Sequence, residues 1–207
     1  MPKITLSYFD FDGGRGEDSR LALYIAGVDF IDDRIKPGNW PTLKAATPFG
    51  CLPVLEIEGK GTISQSNAVL TYIGRAYDLH PKDLWEAARH EAIMAAVEEL
   101  RDATAATIRI KDEDAKKRAR EQLASGLMQQ WGANIEAQLG DGPFVGGAEL
   151  SVVDLKLSVS VRFFIGGGAD YISGDVFAAF PKLLGLVDAV KEHPKVVAYY
   201  AARRAAS

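Results

Sequence analysis

The sequence predicts two domains of different class: an α/β unit of order βαβαββα over residues 1–78, then an all-α bundle over 84–207, joined by a linker at 79–83. Three observations carry this expectation. Strand-like and helix-like segments alternate up to about Tyr77; His80-Pro81-Lys82-Asp83 reads as a linker; and beyond it apolar residues recur at helical spacing for the rest of the chain.

Ile4 and Leu6 alternate with Thr5 and Ser7, the pattern of a half-buried strand, and Tyr8 stands at its end before the glycine-rich turn Gly13-Gly14-Arg15-Gly16. A helix is expected from about Glu17 to Ala26, with Leu21, Tyr24 and Ile25 on one face and Gly27 as its stop; Phe30 to Ile35 reads as a second strand. Pro37-Gly38-Asn39 turns the chain, and Trp40-Pro41-Thr42-Leu43-Lys44 predicts a single helical turn. Leu52-Pro53 precedes the apolar run Val54-Leu55-Glu56-Ile57; a proline lacks a donor for the sheet ladder and so fits a strand entrance. Gly59-Lys60-Gly61 predicts a tight reversal into another strand. Ser64-Gln65-Ser66-Asn67 offers caps for a helix carrying Val69, Leu70 and Ile73, and a helix start attracts anions.

Past the linker, Ile93, Val97, Leu100, Thr104 and Ile108 recur at three and four, and Ala119, Leu123, Leu127, Trp131, Ile135 and Leu139 at four, predicting two long amphipathic helices. Asp141-Gly142-Pro143 and Gly146-Gly147 mark a loop. Ser151-Val152-Val153-Asp154 then has the form of a capping box, with Asp in place of the usual Glu or Gln. From Val153 to Phe163 apolar and polar residues alternate, which by period alone is a strand. The cap and the helical surroundings predict instead a central helix, apolar on most sides. Gly166-Gly167-Gly168 ends it, and two further helices are expected over Pro181–Glu192 and Lys195–Arg203.

The 207 residues carry 24 basic and 28 acidic side chains with no long single-sign block, so nucleic acid and anionic membranes are poor partners. One cysteine, Cys51, excludes an internal disulfide framework and a multi-thiolate metal site. With no secretory leader and no run of about 20 apolar residues, a cytoplasmic location is expected. His80, His90 and His193 lack metal-ligand spacing, no Gly-x-Ser-x-Gly elbow is present, and the Gly13 turn lacks a phosphate-loop pattern, so no metal is expected.

Tyr8 at a strand end, Trp40 and Lys44 in a short connection, Leu52-Pro53 before a strand, Gln65-Ser66 at a helix start and an all-helical second half together resemble the cytosolic glutathione transferases. Within that family the chain is most similar to the tyrosine-using classes, sigma above all, through Leu6-Ser7-Tyr8-Phe9, Trp40-Pro41-Thr42-Leu43-Lys44, Thr47-Pro48-Phe49-Gly50 and Gln65-Ser66-Asn67. The resemblance implies a thioredoxin-like first domain with a cis peptide before Pro53, and a homodimer with sites between the two domains near the subunit interface. It implies glutathione as co-substrate, conjugated to hydrophobic electrophiles; non-catalytic binding of apolar ligands or conjugates, and glutathione-dependent isomerisation, are the alternatives.

The resemblance also distributes roles. A thiol of pKa about 8.5 is mostly protonated at neutral pH, and a phenol donating a hydrogen bond favours the thiolate, which is the part Tyr8 would play. Arg15 would polarise the thiolate or the electrophile. Gln65 and Ser66 would hold the γ-glutamyl carboxylate, Trp40 and Lys44 the glycine carboxylate, and the Leu52 backbone beside Pro53 the cysteinyl group. Glu99 would reach the partner's site to take the ammonium, and Phe9, Gly14, Thr104 and Ile108, with Tyr199 or Tyr200, would line the electrophile pocket. By residue type alone Tyr8 is a half-buried strand-end tyrosine, Trp40 a packing anchor and Lys44 a solvated side chain. Relatives place Lys or Gln, in contact with glutathione, where this chain has Cys51. It reads either as an inert half-buried thiol or as a partner for a mixed disulfide with glutathione. The segment from Asp10 to Gly16 is one residue longer than in sigma relatives.

Overall fold

The computed structural model describes residues 2–206. Strands β1 (Ile4–Phe9), β2 (Ile31–Ile35), β3 (Val54–Ile57) and β4 (Gly61–Ser64) form one sheet in the order β2-β1-β3-β4. β1 and β2 are parallel, as a strand–helix–strand connection requires, and β3 runs antiparallel to both β1 and β4. The alternation in β1 is realised: Ile4, Leu6 and Tyr8 are buried, with Leu6 opposite Leu55 in the central pair. Helices α1 (Gly14–Ile25) and α3 (Ser66–Ala76) pack against one another, and the expected single turn is α2 (Trp40–Leu43). α1 begins three residues before the expected Glu17, because Gly13 and Gly14 take the turn at φ 116° and 63° and the helix follows at once.

Helix α4 (Leu84–Ile108) starts on Asp83, whose carboxylate accepts hydrogen bonds from the Trp85 and Glu86 amides at 3.0 Å. The single helix expected through residues 119–139 is two helices, α5 (Glu113–Ser125) and α6 (Leu127–Gln138). The break falls at Gly126, a poor helix former whose backbone leaves the helical region (φ −107°, ψ −94°) while the four-residue spacing of apolar side chains runs on regardless. Helix α7 (Val152–Ile165) is the central element, packed against α1, α4 and α8 (Pro181–Glu192), and it is buried without interruption from Val152 to Val161. Its strand-like alternation is therefore that of a helix with no solvent face until its last turn, where Phe163 and Ile165 are exposed. The capping box is formed, the Ser151 amide donating to Asp154 Oδ2 at 2.8 Å. α9 (Pro194–Ala206) ends the described chain. One apolar core runs from Leu6 and Leu55 through Leu70 and Ile73 to Val152 and Val153, so the sheet and the bundle are joined by packing as well as by the linker.

Candidate active site

Tyr8 ends β1 with its side chain buried against the start of α1. The Arg15 amide donates a hydrogen bond to Tyr8 Oη at 3.3 Å, and this approach depends on the glycine turn. A Cβ on Gly14 would stand 2.9 Å from Oη, and one on Gly16 would lie 2.1 Å from the ring. Burial raises the Tyr8 pKa above its ordinary value, outweighing the Arg15 amide, so the side chain stays a neutral phenol. Its oxygen accepts one hydrogen bond and its proton is left to donate. Arg20, fully buried, fixes the turn from beneath: Nη2 donates to the Phe9 carbonyl at 3.2 Å and Nη1 to that of Phe11 at 3.1 Å, with the guanidinium over the Tyr8 ring.

A pocket of about 290 Å³ opens beside the Tyr8 hydroxyl, between the turn after β1 and helices α4 and α7. Gly14, Thr104 and Ile108 line it, with Arg15. Phe9 does not. Successive side chains of a strand point to opposite faces, and Phe9 packs edge-on to Trp40 at 5.7 Å. Phe11 takes that place, 5.6 Å from the Tyr8 ring, facing the pocket with Phe163 across it. The only sequence signal for Phe11 was the extra length of the turn. Asp12 beside it is tied to Arg34 at 3.2 Å and to Arg203 at 2.8 Å, which fixes the turn against β2 and α9. Tyr199 and Tyr200 are also absent from the lining: Tyr199 packs on Tyr24 at 5.3 Å, and Tyr200 lies under the Arg162 guanidinium.

On the other side of Tyr8, the Leu52-Pro53 peptide is cis and Leu52 is buried with Tyr8 in one small cluster. Cys51 is half-buried, its Sγ 3.7 Å from both Ser64 Oγ and Gln65 Nε2. Gln65 has φ 75°, a conformation rare for a residue with a Cβ, at the position that launches α3. Trp40 is half-buried on α2, and Lys44 is exposed just after it. The turn, the cis proline and the α3 N-terminus thus place Tyr8, Leu52, Cys51, Gln65 and Ser66 around one region, while Glu99 sits on the exposed face of α4.

Its neighbour Glu98 turns inward and organises a largely buried ion network that no local pattern in the sequence marks. The Ser66 hydroxyl donates to Glu98 Oε1 at 3.0 Å, Arg101 Nη1 lies 3.2 Å from the same oxygen, and Arg15 Nε and Lys156 Nζ also bond to this carboxylate. Arg101 in turn grips both oxygens of Asp18, at 2.7 and 3.0 Å. Burial pushes the Glu98 carboxyl up, but Lys156 and Arg101 outweigh it and hold the pKa at about 2. The available signal was a charge inside an apolar segment, Lys156 within the run of α7; Asp18 lies among polar residues of the first half of α1 and gave no such signal. Among the described residues no group of three or more His, Cys, Asp or Glu side chains could hold a metal ion.

Comparison with known proteins agrees with this geometry over nearly the whole chain. Residues 4–75 match the glutathione S-transferase N-terminal domain family and residues 98–203 the corresponding C-terminal domain family. "Probable glutathione S-transferase 7" of Caenorhabditis elegans is 34 % identical over 164 residues, covering 76 % of this chain and 78 % of that protein. "Hematopoietic prostaglandin D synthase" of Gallus gallus is 27 % identical over 96 % of both chains. Among solved structures, "prostaglandin synthase D of Nilaparvata lugens" superposes with a TM-score of 0.85 at 28 % identity, over 97 % of this chain and 98 % of that one.

Proposed function

We propose, from the premise that the chain belongs to the glutathione S-transferase family, that its conjugation chemistry runs through Tyr8. The family activity adds the thiolate of glutathione to an electrophile. The observation that carries the assignment is the Tyr8 phenol itself: neutral, anchored through its oxygen by the Arg15 amide, and facing an apolar pocket with its proton free. Donated to sulfur, that hydrogen bond stabilises the thiolate and lowers the thiol pKa; the displaced proton leaves to solvent, and the thiolate attacks the electrophilic carbon, whose leaving group departs with its bonding pair, as chloride does from 1-chloro-2,4-dinitrobenzene. Arg15 lines the same end of the pocket, its guanidinium paired with Glu98 and Asp102, so its backbone amide on Tyr8 is its contact with the reacting end. Gln65 and the first turn of α3 would receive the γ-glutamyl carboxylate, Trp40 and Lys44 the glycine carboxylate, and the Leu52 backbone the cysteinyl group. We read residues 1–78 as the glutathione-binding domain and 84–207 as the source of most of the electrophile pocket.

The likeness to prostaglandin D synthases supports a second reading, glutathione-dependent isomerisation. A pocket of about 290 Å³ is at the small end for ligand cavities and favours compact electrophiles over long-chain ones, so conjugation is preferred. A homodimer with Glu99 crossing to the partner's site is supported by Phe49, which is 83 % exposed on a turn at φ 56°, an apolar side chain in need of cover. A detoxifying role and a cytoplasmic location follow the family membership and fit a chain with one half-buried thiol; among the described residues no helix is long and apolar enough to cross a membrane.

The deciding experiment compares conjugation of 1-chloro-2,4-dinitrobenzene by wild type and Tyr8→Phe, following ionisation of the bound thiol by ultraviolet absorbance. Tyr8→Phe is expected to keep glutathione binding and to lose about 10²-fold in turnover, with the thiol pKa rising. A wild-type chain that binds glutathione yet neither ionises its thiol nor turns over electrophiles is a ligand-binding protein instead.

A further inference from the structure

The ion network behind Ser66 is balanced only through a solvated carboxylate. Arg15, Arg101 and Lys156 bring three cations to it, while Glu98 and Asp18 bring two enclosed carboxylates. A third carboxylate, on Asp102, meets Arg15 at 2.6 Å, but its side chain is 75 % exposed, where solvent and salt screen it. Arg15 on Glu98 and Arg101 across Glu98 and Asp18 would by themselves match the two enclosed acids. Lys156 is the surplus.

Lys156 projects from the centre of α7 with its ammonium fully buried. Besides its bond to Glu98, it lies 3.7 Å from Asp18 Oδ2 and donates to Ser66 Oγ at 3.3 Å. Ser66 occupies the first turn of α3, where unpaired backbone N–H groups and the helix dipole are already positive. The Ser66 hydroxyl has given its proton to Glu98 and accepts from Lys156, so it has no proton left for a ligand carboxylate; the backbone amides of the turn remain. In a water-poor interior an uncompensated cation is costly, and its field reaches several ångströms with little screening. An anion seated on the α3 N-terminus would complete the balance.

We propose that Lys156 is a positioning residue that makes the α3 N-terminus demand an anion, and so sets the preference of this enzyme for a co-substrate bearing a free carboxylate at its γ-glutamyl end. This rests on the glutathione reading above. It differs from a purely structural role, in which Lys156 pins α7 to α1 and α4 and its loss weakens the fold and every ligand alike.

Calorimetric titration of glutathione, and of 4-aminobutanoyl-cysteinyl-glycine, which lacks that carboxylate, separates the two roles. Lys156→Met is expected to bind glutathione about tenfold more weakly and the analogue within about twofold of wild type, with a melting temperature no lower than wild type in the absence of ligand. Glu98→Gln, which adds to the surplus, is expected to shift the ratio of the two affinities in the opposite direction, and it carries the test if Lys156→Met does not fold. An unchanged ratio in Lys156→Met, or a Glu98→Gln ratio that moves the same way as that of Lys156→Met, overturns the inference and leaves the glutathione reading intact. Failure of the wild type to bind glutathione removes the glutathione reading, and this inference with it.

Discussion

At the scale of single residues, the site depends on side chains that are missing as much as on those present. Gly16 lies inside α1, where alanine would ordinarily be favoured by about 1 kcal/mol. Here its hydrogen faces the Tyr8 ring, and a methyl group would fall 2.1 Å from a ring atom. That ring is held by Arg20 below and the Arg15 amide at its oxygen, so it cannot step aside cheaply. Overpacking therefore wins. Gly16→Ala is expected to destabilise by about 1–3 kcal/mol and to displace the phenol. A urea melt and thiol absorbance of the glutathione complex check both; unchanged stability with full thiol ionisation would show that the ring is looser than it looks. The same reasoning explains why Tyr8 was legible as a strand-end tyrosine in a known constellation while Phe11 was not. Strand parity put Phe9 on the other face, but nothing in the sequence says how a turn with one extra residue folds back.

At the scale of elements, two groups with opposite pH signatures meet at the N-terminus of α7, Asp154 of α7 and His90 of α4. Asp154 is buried, and burial raises its pKa from 3.8 to about 6 despite hydrogen bonds from the Val145 and Ser151 amides and the Ser151 hydroxyl. Its contribution to stability is present below pH 3.8 and is lost as pH rises through about 6. His90, whose Nδ1 lies 3.5 Å from Ser151 Oγ, is held neutral by burial and by the facing His80, with its pKa lowered from 6.5 to about 4. Its contribution is present above pH 6.5 and is lost as pH falls through about 4. Each is worth about 3 kcal/mol from the size of its shift, so in wild type the two nearly cancel between pH 4 and 6.5. Chemical denaturation across that window should give rising stability with pH for Asp154→Asn and falling stability for His90→Gln. Parallel curves for the two variants would contradict this. The capping box was legible because its chemistry is local, four residues long. Its coupling to His90, 61 positions away, was not.

At the scale of the whole molecule, the sheet and the bundle are held together by a shared apolar core and by the Glu98 network. The Glu98 pKa falls from 4.5 to about 2, so its contribution is present above pH 4.5 and lost as pH falls through about 2. Acid titration followed by tryptophan fluorescence and far-ultraviolet circular dichroism should show the α/β half and the bundle losing contact in that range. Glu98→Gln should flatten the dependence, and an unchanged acid limb in that variant would place the titrating group elsewhere. Assembly belongs to the same scale. Phe49→Ser, at a side chain 83 % exposed in the single chain, is expected to leave the monomer fold intact and shift sedimentation from dimer to monomer, whereas a wild type that sediments as a monomer ends the dimer reading.

By itself the sequence determined the order βαβαββα, the change to helices after the linker, the strand-entrance proline at position 53, the cap of α7 and the residue types at Tyr8, Gln65 and Ser66, because each rests on short-range periodicity, turn chemistry or a motif a few residues long. Only the tertiary structure decided that Gly126 breaks a helix, that Phe11 and not Phe9 faces the pocket, and that Glu98, Asp18, Arg101 and Lys156 meet behind Ser66. The last is a matter of distance along the chain: Asp18 and Arg101 are separated by 83 residues and Ser66 and Lys156 by 90, and no local pattern records which buried charges will face one another once α1, α3, α4 and α7 pack.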